Sequence, residues 1–208
     1  SPMWLFYTKK ISNTKTITVI KTIKQITVET MTPDELKTKV EELEALLKTS
    51  YDQALVETQA RELLAHDTVK NEIDLHCRTL LALSESLRRR GLAQDALPFS
   101  EQALTIAEQI ESKELQAKAL GNIGTVHANL SDYARALEYY GKALALNEEL
   151  GNKAGVASNL GNIGNVHKSI SDYTRALEYM GKALALDEEL GNKAGVARHL
   201  RSEEHTSE

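Results

Sequence analysis

His127 and His167 stand forty residues apart in identical "NIGxVH" contexts, a spacing that would let two imidazoles act as paired ligands. A zinc or copper site needs three or four nitrogen, sulfur or oxygen donors brought together, and no Cys or carboxylate cluster accompanies this pair. Packed aromatic side chains are therefore the expected role. "YGKA" at 140–143 and "MGKA" at 180–183 share Gly-Lys with phosphate-binding loops. Such a loop also needs an earlier Gly, where Ala136 and Ala176 stand, and Ser or Thr after the Lys, where Ala143 and Ala183 stand. The lone Cys77 excludes an internal disulfide, fits a reducing compartment and reads as a small helix-face residue. "NLS" at 129–131 has the form of a glycosylation acceptor but lies in an expected turn. No nucleophile with a base and an orienting acid is evident, so the sequence implies no catalysis, no cofactor and no metal.

The elements that carry these residues follow from an internal repeat. Residues 121–160 and 161–200 differ at only nine of forty positions, so they are two copies of one structural unit. In the second copy Leu160, Ile163, His167 and Ile170 recur every three or four residues and share one helical face. "SISDY" then breaks the pattern, with Ser171 or Asp172 able to cap the next helix. That helix sets Tyr173, Ala176, Leu177, Met180, Ala183, Leu184 and Leu186 on an apolar stripe. Gly191 closes it in the left-handed conformation, and a new helix starts near Lys193. Small residues mark where paired helices approach: Gly164, Ala176 and Ala183, then Gly124, Ala136 and Ala143. Ser84, Ala96 and Ala103 keep the same spacing one period earlier, so 69–110 is a diverged third copy.

This pattern resembles the tetratricopeptide repeat family, in a forty-residue form like that of kinesin light chains and Leu-Gly-Asn-repeat regulators. "NLGNIGNVH" at 159–167 is similar to the "NLGNxY" segment of those variants, with His167 in place of Tyr. The resemblance covers roughly 69–200 and implies an all-α fold, a right-handed superhelical solenoid of antiparallel helix pairs. Units are expected at 69–110, 111–150 and 151–190, with another starting at 191–200. Residues 31–68 are expected to form a degenerate capping pair, with Thr32, Pro33 and Glu35 opening its first helix as a capping box.

By the same resemblance the first helices line a concave groove. Its positions fall at Lys118, Asn122, Thr125 and Asn129, then at Ser158, Asn162, Asn165 and Lys168. A carboxamide both donates and accepts, so Asn122 and Asn162 suit the backbone of an extended peptide, and Gly121 and Gly161 keep the wall low. Arg88 and Arg89, in "RRR" at 88–90, either give the groove a cationic end or complement the dipole of a helix that stops at Gly91. The glutamates at 148, 149, 188 and 189 read as a solvated outer face.

The expected function is a non-catalytic scaffold for a protein or peptide. The alternative is the sensory N-terminal half of a bacterial regulator whose cyclase, kinase or DNA-binding effector lies beyond 208. Self-association through the last repeat is a further expectation. With 41% hydrophobic and 26% charged residues, the chain of 208 is expected to be cytoplasmic. Its net charge of −5, or −7 over 31–200, speaks against a nucleic-acid partner, and no apolar run is long enough for a membrane partner. Residues 1–30, with five Lys and one Glu, differ in composition from the rest and are expected to be a non-native or disordered extension. "RSEEHTSE" at 201–208 matches the translation of a common sequencing-library adapter and is expected to be a scar.

Overall fold

The computed structural model describes residues 31–49, 52–66, 69 and 72–197. The expectations for 1–30 and 201–208 lie outside them. Among the described residues eight helices follow in order: α1 (Pro33–Thr49), α2 (Gln53–Leu64), α3 (Ile73–Arg89), α4 (Ala93–Gln109), α5 (Lys113–Asn129), α6 (Tyr133–Glu149), α7 (Lys153–Ser169) and α8 (Tyr173–Glu189). Helical backbone resumes at 193–197. The chain is all-α, and consecutive helices pack against each other throughout.

The forty-residue period has a simple origin. Each helix from α3 to α8 is 17 residues long, and each connection between them is three residues. In every turn the middle residue adopts positive φ: Gly91, Glu111, Ser131, Gly151, Ser171, and Gly191 after α8. That residue reverses the chain and frees the next to cap the following helix. Asp132, Asn152 and Asp172 each accept a backbone N–H from the residue three ahead. Of the two candidates at "SISDY", Asp172 therefore makes the cap, accepting from Arg175 N at 3.2 Å, and Ser171 is the left-handed residue at φ 63°. The two should respond with opposite sign. Asp172→Ala is expected to cost about 1 kcal/mol, whereas Ser171→Gly relieves a side chain held at positive φ and should not destabilise. Urea midpoints of the two variants check this.

The expected capping box is present at the start of α1. Thr32 N donates to Glu35 Oε2 at 2.8 Å, and Glu35 N donates to Thr32 Oγ1 at 3.3 Å. The Thr32 backbone bond, with the hydroxyl bond beside it, holds the Glu35 carboxyl below the usual carboxylate range.

The small residues sit where expected. Ala96, Ala103, Ala136, Ala143, Ala176 and Ala183 are completely buried. A Cβ on Gly124 would lie 2.8 Å from the Tyr140 ring, and one on Gly164 would lie 2.8 Å from Met180 Cγ. The first hairpin reverses the sizes. Ser84 replaces the glycine, Ser100 replaces the large residue, and the two hydroxyls bond each other while Ser84 Oγ also donates to the Ala96 carbonyl at 3.1 Å.

Two stretches differ from the sequence expectation. Tyr173 and Leu177 are 49% and 40% exposed, although they belong to the apolar stripe of α8. Their counterparts Tyr133 and Leu137 on α6 are half-buried, because α7 packs on α6; among the described residues no helix plays that part for α8. The second difference lies in "NEEL" and "DEEL". The glutamates are exposed as expected, but Asn147 and Asp187, which begin those stretches, are 5% and 1% exposed.

Those two residues organise the junctions between repeats. Asn147 Nδ2 donates to the Ala143 carbonyl at 2.9 Å, and Asn147 Oδ1 accepts from Asn152 Nδ2 at 2.7 Å. Asn152 Oδ1 in turn accepts from Gly155 N at 3.1 Å. One asparagine thus caps α7 and ties it to α6. Asp187, Asn192 and Gly195 repeat the last two of these bonds, Asn192 Nδ2 donating to Asp187 Oδ1 at 2.8 Å and Asn192 Oδ1 accepting from Gly195 N at 3.2 Å. A Cβ on Gly155 or Gly195 would overlap the Asn147 or Asp187 side chain, so glycine is required there by space. At the first junction the same positions are Ala107, Ser112 and Leu115. Ala107 and Leu115 are buried in one apolar cluster, and Ser112 supplies the cap.

Candidate peptide-binding groove

Successive first helices touch one another: α1 with α3, α3 with α5, and α5 with α7. No two second helices touch among the described residues. The stack therefore curves towards its first helices, which form the inner face, as solenoids of helix pairs do. Every sequence-derived groove position lies on α3, α5 or α7.

The side chains there are not equally available. Asn122 and Asn162 are half-buried on adjacent first helices, and neither carboxamide has an intramolecular hydrogen-bond partner among the described residues. Ser158 and Asn165 are exposed, and Lys168 is half-buried. Thr125 is committed internally: its hydroxyl donates to the Gly121 carbonyl at 2.9 Å and accepts from Tyr140 OH at 3.0 Å. Lys118 holds Glu114 at 2.8 Å, which draws the Glu114 carboxyl below its ordinary range. Gly121 faces the neighbouring first helix, where Asn159 Oδ1 would be in ordinary contact with an added Cβ.

The arginines are paired within the chain. Arg88 reaches Glu85 Oε1 at 2.6 Å, and Arg89 reaches the same oxygen at 2.7 Å while donating to the Leu47 carbonyl. Arg90 pairs with Glu57. Arg88 and Arg89 thus tie α3 to its own turn, and Arg89 ties it to the end of α1.

The structure gathers Lys118, Asn122 and Arg89 around one open cleft of about 330 Å³. Asn129 is elsewhere, in a second open cleft of about 480 Å³ lined with Gly91 and Asp95. The α7 positions lie further along the inner face, outside both. The cleft also has residues that the sequence reading missed. Arg78, Leu81 and Glu85 of α3 stand one forty-residue period before Lys118, Gly121 and Thr125, so extending the period would have found them. Glu44, Leu47 and Lys48 of α1 carry no such signal, because α1 lacks the repeat pattern. Arg78 forms a two-point bond with Glu44, 3.0 Å from Nε and 2.7 Å from Nη2, and this bond is the first cause of its raised pKa.

The other reactive types pack rather than react. Cys77 is fully buried, and burial pushes its thiol up to about 11 while Sγ donates to the Ala103 carbonyl. A thiol so held is protonated at neutral pH and a poor nucleophile. His127 and His167 are buried where Leu87 sits in the first unit, each stacked on a tyrosine, Tyr139 or Tyr179, with centroids 5.5 Å apart. Among the described residues no three His, Cys, Asp or Glu side chains gather as a metal site, and no helix is long and apolar enough to cross a membrane.

The tetratricopeptide repeat family model matches residues 75–149 and 115–189, in two overlapping registers one repeat apart. The chain belongs to the tetratricopeptide repeat family. Among curated proteins, tetratricopeptide repeat protein 29 of Trypanosoma brucei brucei is 34% identical over 62 residues, which are 30% of this chain and 13% of that protein. The chain therefore spans only a small part of that relative. Among solved structures, a Rap protein complexed with competence and sporulation factor superposes with a TM-score of 0.76 at 19% identity, over 88% of this chain and 51% of the Rap chain. A kinesin light chain from Podosopora anserina with nearly identical TPR-like repeats gives 0.61 at 12% identity, over 84% and 89%. At these identities the likeness is one of fold, the right-handed superhelical solenoid. The tetratricopeptide repeat fold explains why the chemistry-bearing residues above are spent on packing.

Proposed function

We propose that this chain is a non-catalytic, cytoplasmic scaffold that holds an extended peptide, or a partner helix, along its inner face. The observation that carries this reading is the pair Asn122 and Asn162. They stand in phase on neighbouring first helices, half-exposed, with carboxamides that no other group of the described chain engages. A carboxamide offers a donor and an acceptor, so each can satisfy both groups of one peptide bond without reading its side chain. The superposable Rap protein, solved with competence and sporulation factor on it, supports partner holding by this fold. Ser158, Asn165 and Lys168 extend the same track, with Arg88, Thr125 and Asn129 as supporting positions at its margin.

The test is panning of a displayed random-peptide library on the full chain. Enriched peptides should bind the natural chain and lose at least about tenfold in affinity when Asn122→Ala and Asn162→Ala are combined, at about 1.4 kcal/mol for the two lost contacts. Far-ultraviolet circular dichroism should be unchanged. Peptides that bind the double variant as tightly would remove the groove.

A further inference from the structure

The inner face is not uniform along its length. At Leu81 of α3 the later repeats have Gly121 and Gly161, and at Leu115 of α5 they have Gly155 and Gly195. At these two positions large apolar side chains, replaced by glycine in the later repeats, therefore stand beside the part between α1, α3 and α5. There α3 forms the floor, since it touches both α1 and α5 while those two do not touch each other. Half-buried Leu47 of α1 contributes to the lining together with the outer edges of Leu81 and Leu115, which are 8% and 5% exposed and otherwise belong to the core beneath.

The charges around this lining are also particular to it. Four cations, Lys48, Arg78, Arg89 and Lys118, face two carboxylates, Glu44 and Glu85, in a chain whose net charge is −5. Both carboxylates are already engaged, Glu44 by Arg78 and Glu85 by Arg88 and Arg89. What remains is Lys48 on the α1 wall, which has no partner among the described residues, and Lys118 on the α5 wall. Lys118 holds only the exposed Glu114, a pair that contributes little and is easily exchanged.

We propose that this cleft is the side-chain-reading part of the groove, taking an aliphatic residue on Leu81 and Leu115 and a neighbouring acidic residue between Lys48 and Lys118. The inference rests on the groove reading above and deepens it. The ligand is a peptide whose acidic-aliphatic step is read at α1, α3 and α5, while its backbone continues over Asn122 and Asn162. In this arrangement α1 is a wall of the binding site as well as a cap on the apolar core.

The probes are two end-blocked dipeptides, N-acetyl-Glu-Leu-amide and N-acetyl-Lys-Leu-amide, titrated into the full ¹⁵N-labelled chain. Blocked ends leave the side-chain charge as the variable. The acidic dipeptide should give saturable shifts at the amides of Lys48, Leu81 and Leu115 and bind about three- to fivefold more tightly than the basic one, the span set by an exposed ion pair. Lys48→Glu combined with Lys118→Glu should reverse that order, and both residues are surface groups whose exchange leaves the fold intact by circular dichroism. Equal binding of the two dipeptides, shifts confined to α7, or an unreversed order in the double variant would overturn the proposal. Because a dipeptide is too short to need both asparagines, the outcomes separate. Loss of the charge preference with Asn-dependent capture of displayed peptides sinks the cleft alone. A retained preference with Asn-independent capture sinks the groove track and leaves the cleft.

Discussion

Gly124→Ala should destabilise the chain by about 2 kcal/mol, lowering the melting midpoint by about 4–8 °C. The expectation runs against helix propensity, by which Ala in mid-helix gains about 1 kcal/mol over Gly. The deciding contact is the Tyr140 ring, whose Cδ1 and Cε1 would lie 2.8 and 2.9 Å from the new methyl. The ring cannot swing aside, because Tyr140 is 2% exposed and its hydroxyl donates to Thr125. In a Tyr140→Ser background, which copies Ser100 of the first hairpin, that obstacle is gone. There Gly124→Ala should become neutral or stabilising. Denaturant titration of the four proteins of this cycle measures the coupling directly. A Gly124→Ala effect of the same sign in both backgrounds would show that the size exchange between hairpins is incidental.

The second large effect is expected at the α6–α7 junction. Gly155→Leu alone forces a side chain onto buried Asn147 and should cost about 3 kcal/mol. Asn147→Ala alone leaves Asn152 Nδ2 without its partner and opens a void, at about 2 kcal/mol. Combined, the two changes write the Ala107–Leu115 solution of the first junction into the second, and at least half of the summed loss should return. Hydrogen exchange would also place the effect, since α7 and α8 should open before α3 and α4 in either single variant. A double variant as unstable as the sum of its parts would falsify the equivalence of the two junctions.

Much of this architecture can be read in the linear chain, for reasons that are local. Helix periodicity and short capping residues are properties of neighbouring residues, so the helix pairs were visible, and their period showed in the near-identity of 121–160 and 161–200. Of the positive-φ turn residues the glycines at 91 and 191 read as helix stops, whereas Glu111, Ser131 and Ser171 carry no such signal. The small residues at 84, 124 and 164 were visible because they recur. What escaped was what depends on the partner across an interface. Asn147 and Asp187 sit in runs rich in glutamate, and polar residues in such runs normally face water; only the approach of Gly155 and Gly195 buries them. Tyr173 and Leu177 failed in the opposite direction, since they repeat Tyr133 and Leu137 in sequence but among the described residues no helix covers them as α7 covers those. The groove shows the same division. Asn122 and Asn162 were legible by phase, whereas the α1 wall of the cleft follows no repeat and became visible only through packing. For "RRR" at 88–90, charge and spacing left two roles open, and the ion pairs to Glu85 and Glu57 show where those charges are spent.

The junction chemistry bears on how a protein of this kind can lengthen. A unit can follow itself only if the side chain it presents at its far end fits the space at its own near end. The unit of α7 and α8 meets this condition, with Gly155 at one end and Asp187 at the other. The unit of α5 and α6 does not: Leu115 at its near end would collide with the Asn147 of a preceding copy. Tandem duplication is thus tolerated at one unit and penalised at its neighbour, although the two share the same helix lengths and turns. A lineage growing by unequal crossing-over would keep copying the glycine-opening unit, and its array would stay in register because the mismatched joints fail to fold.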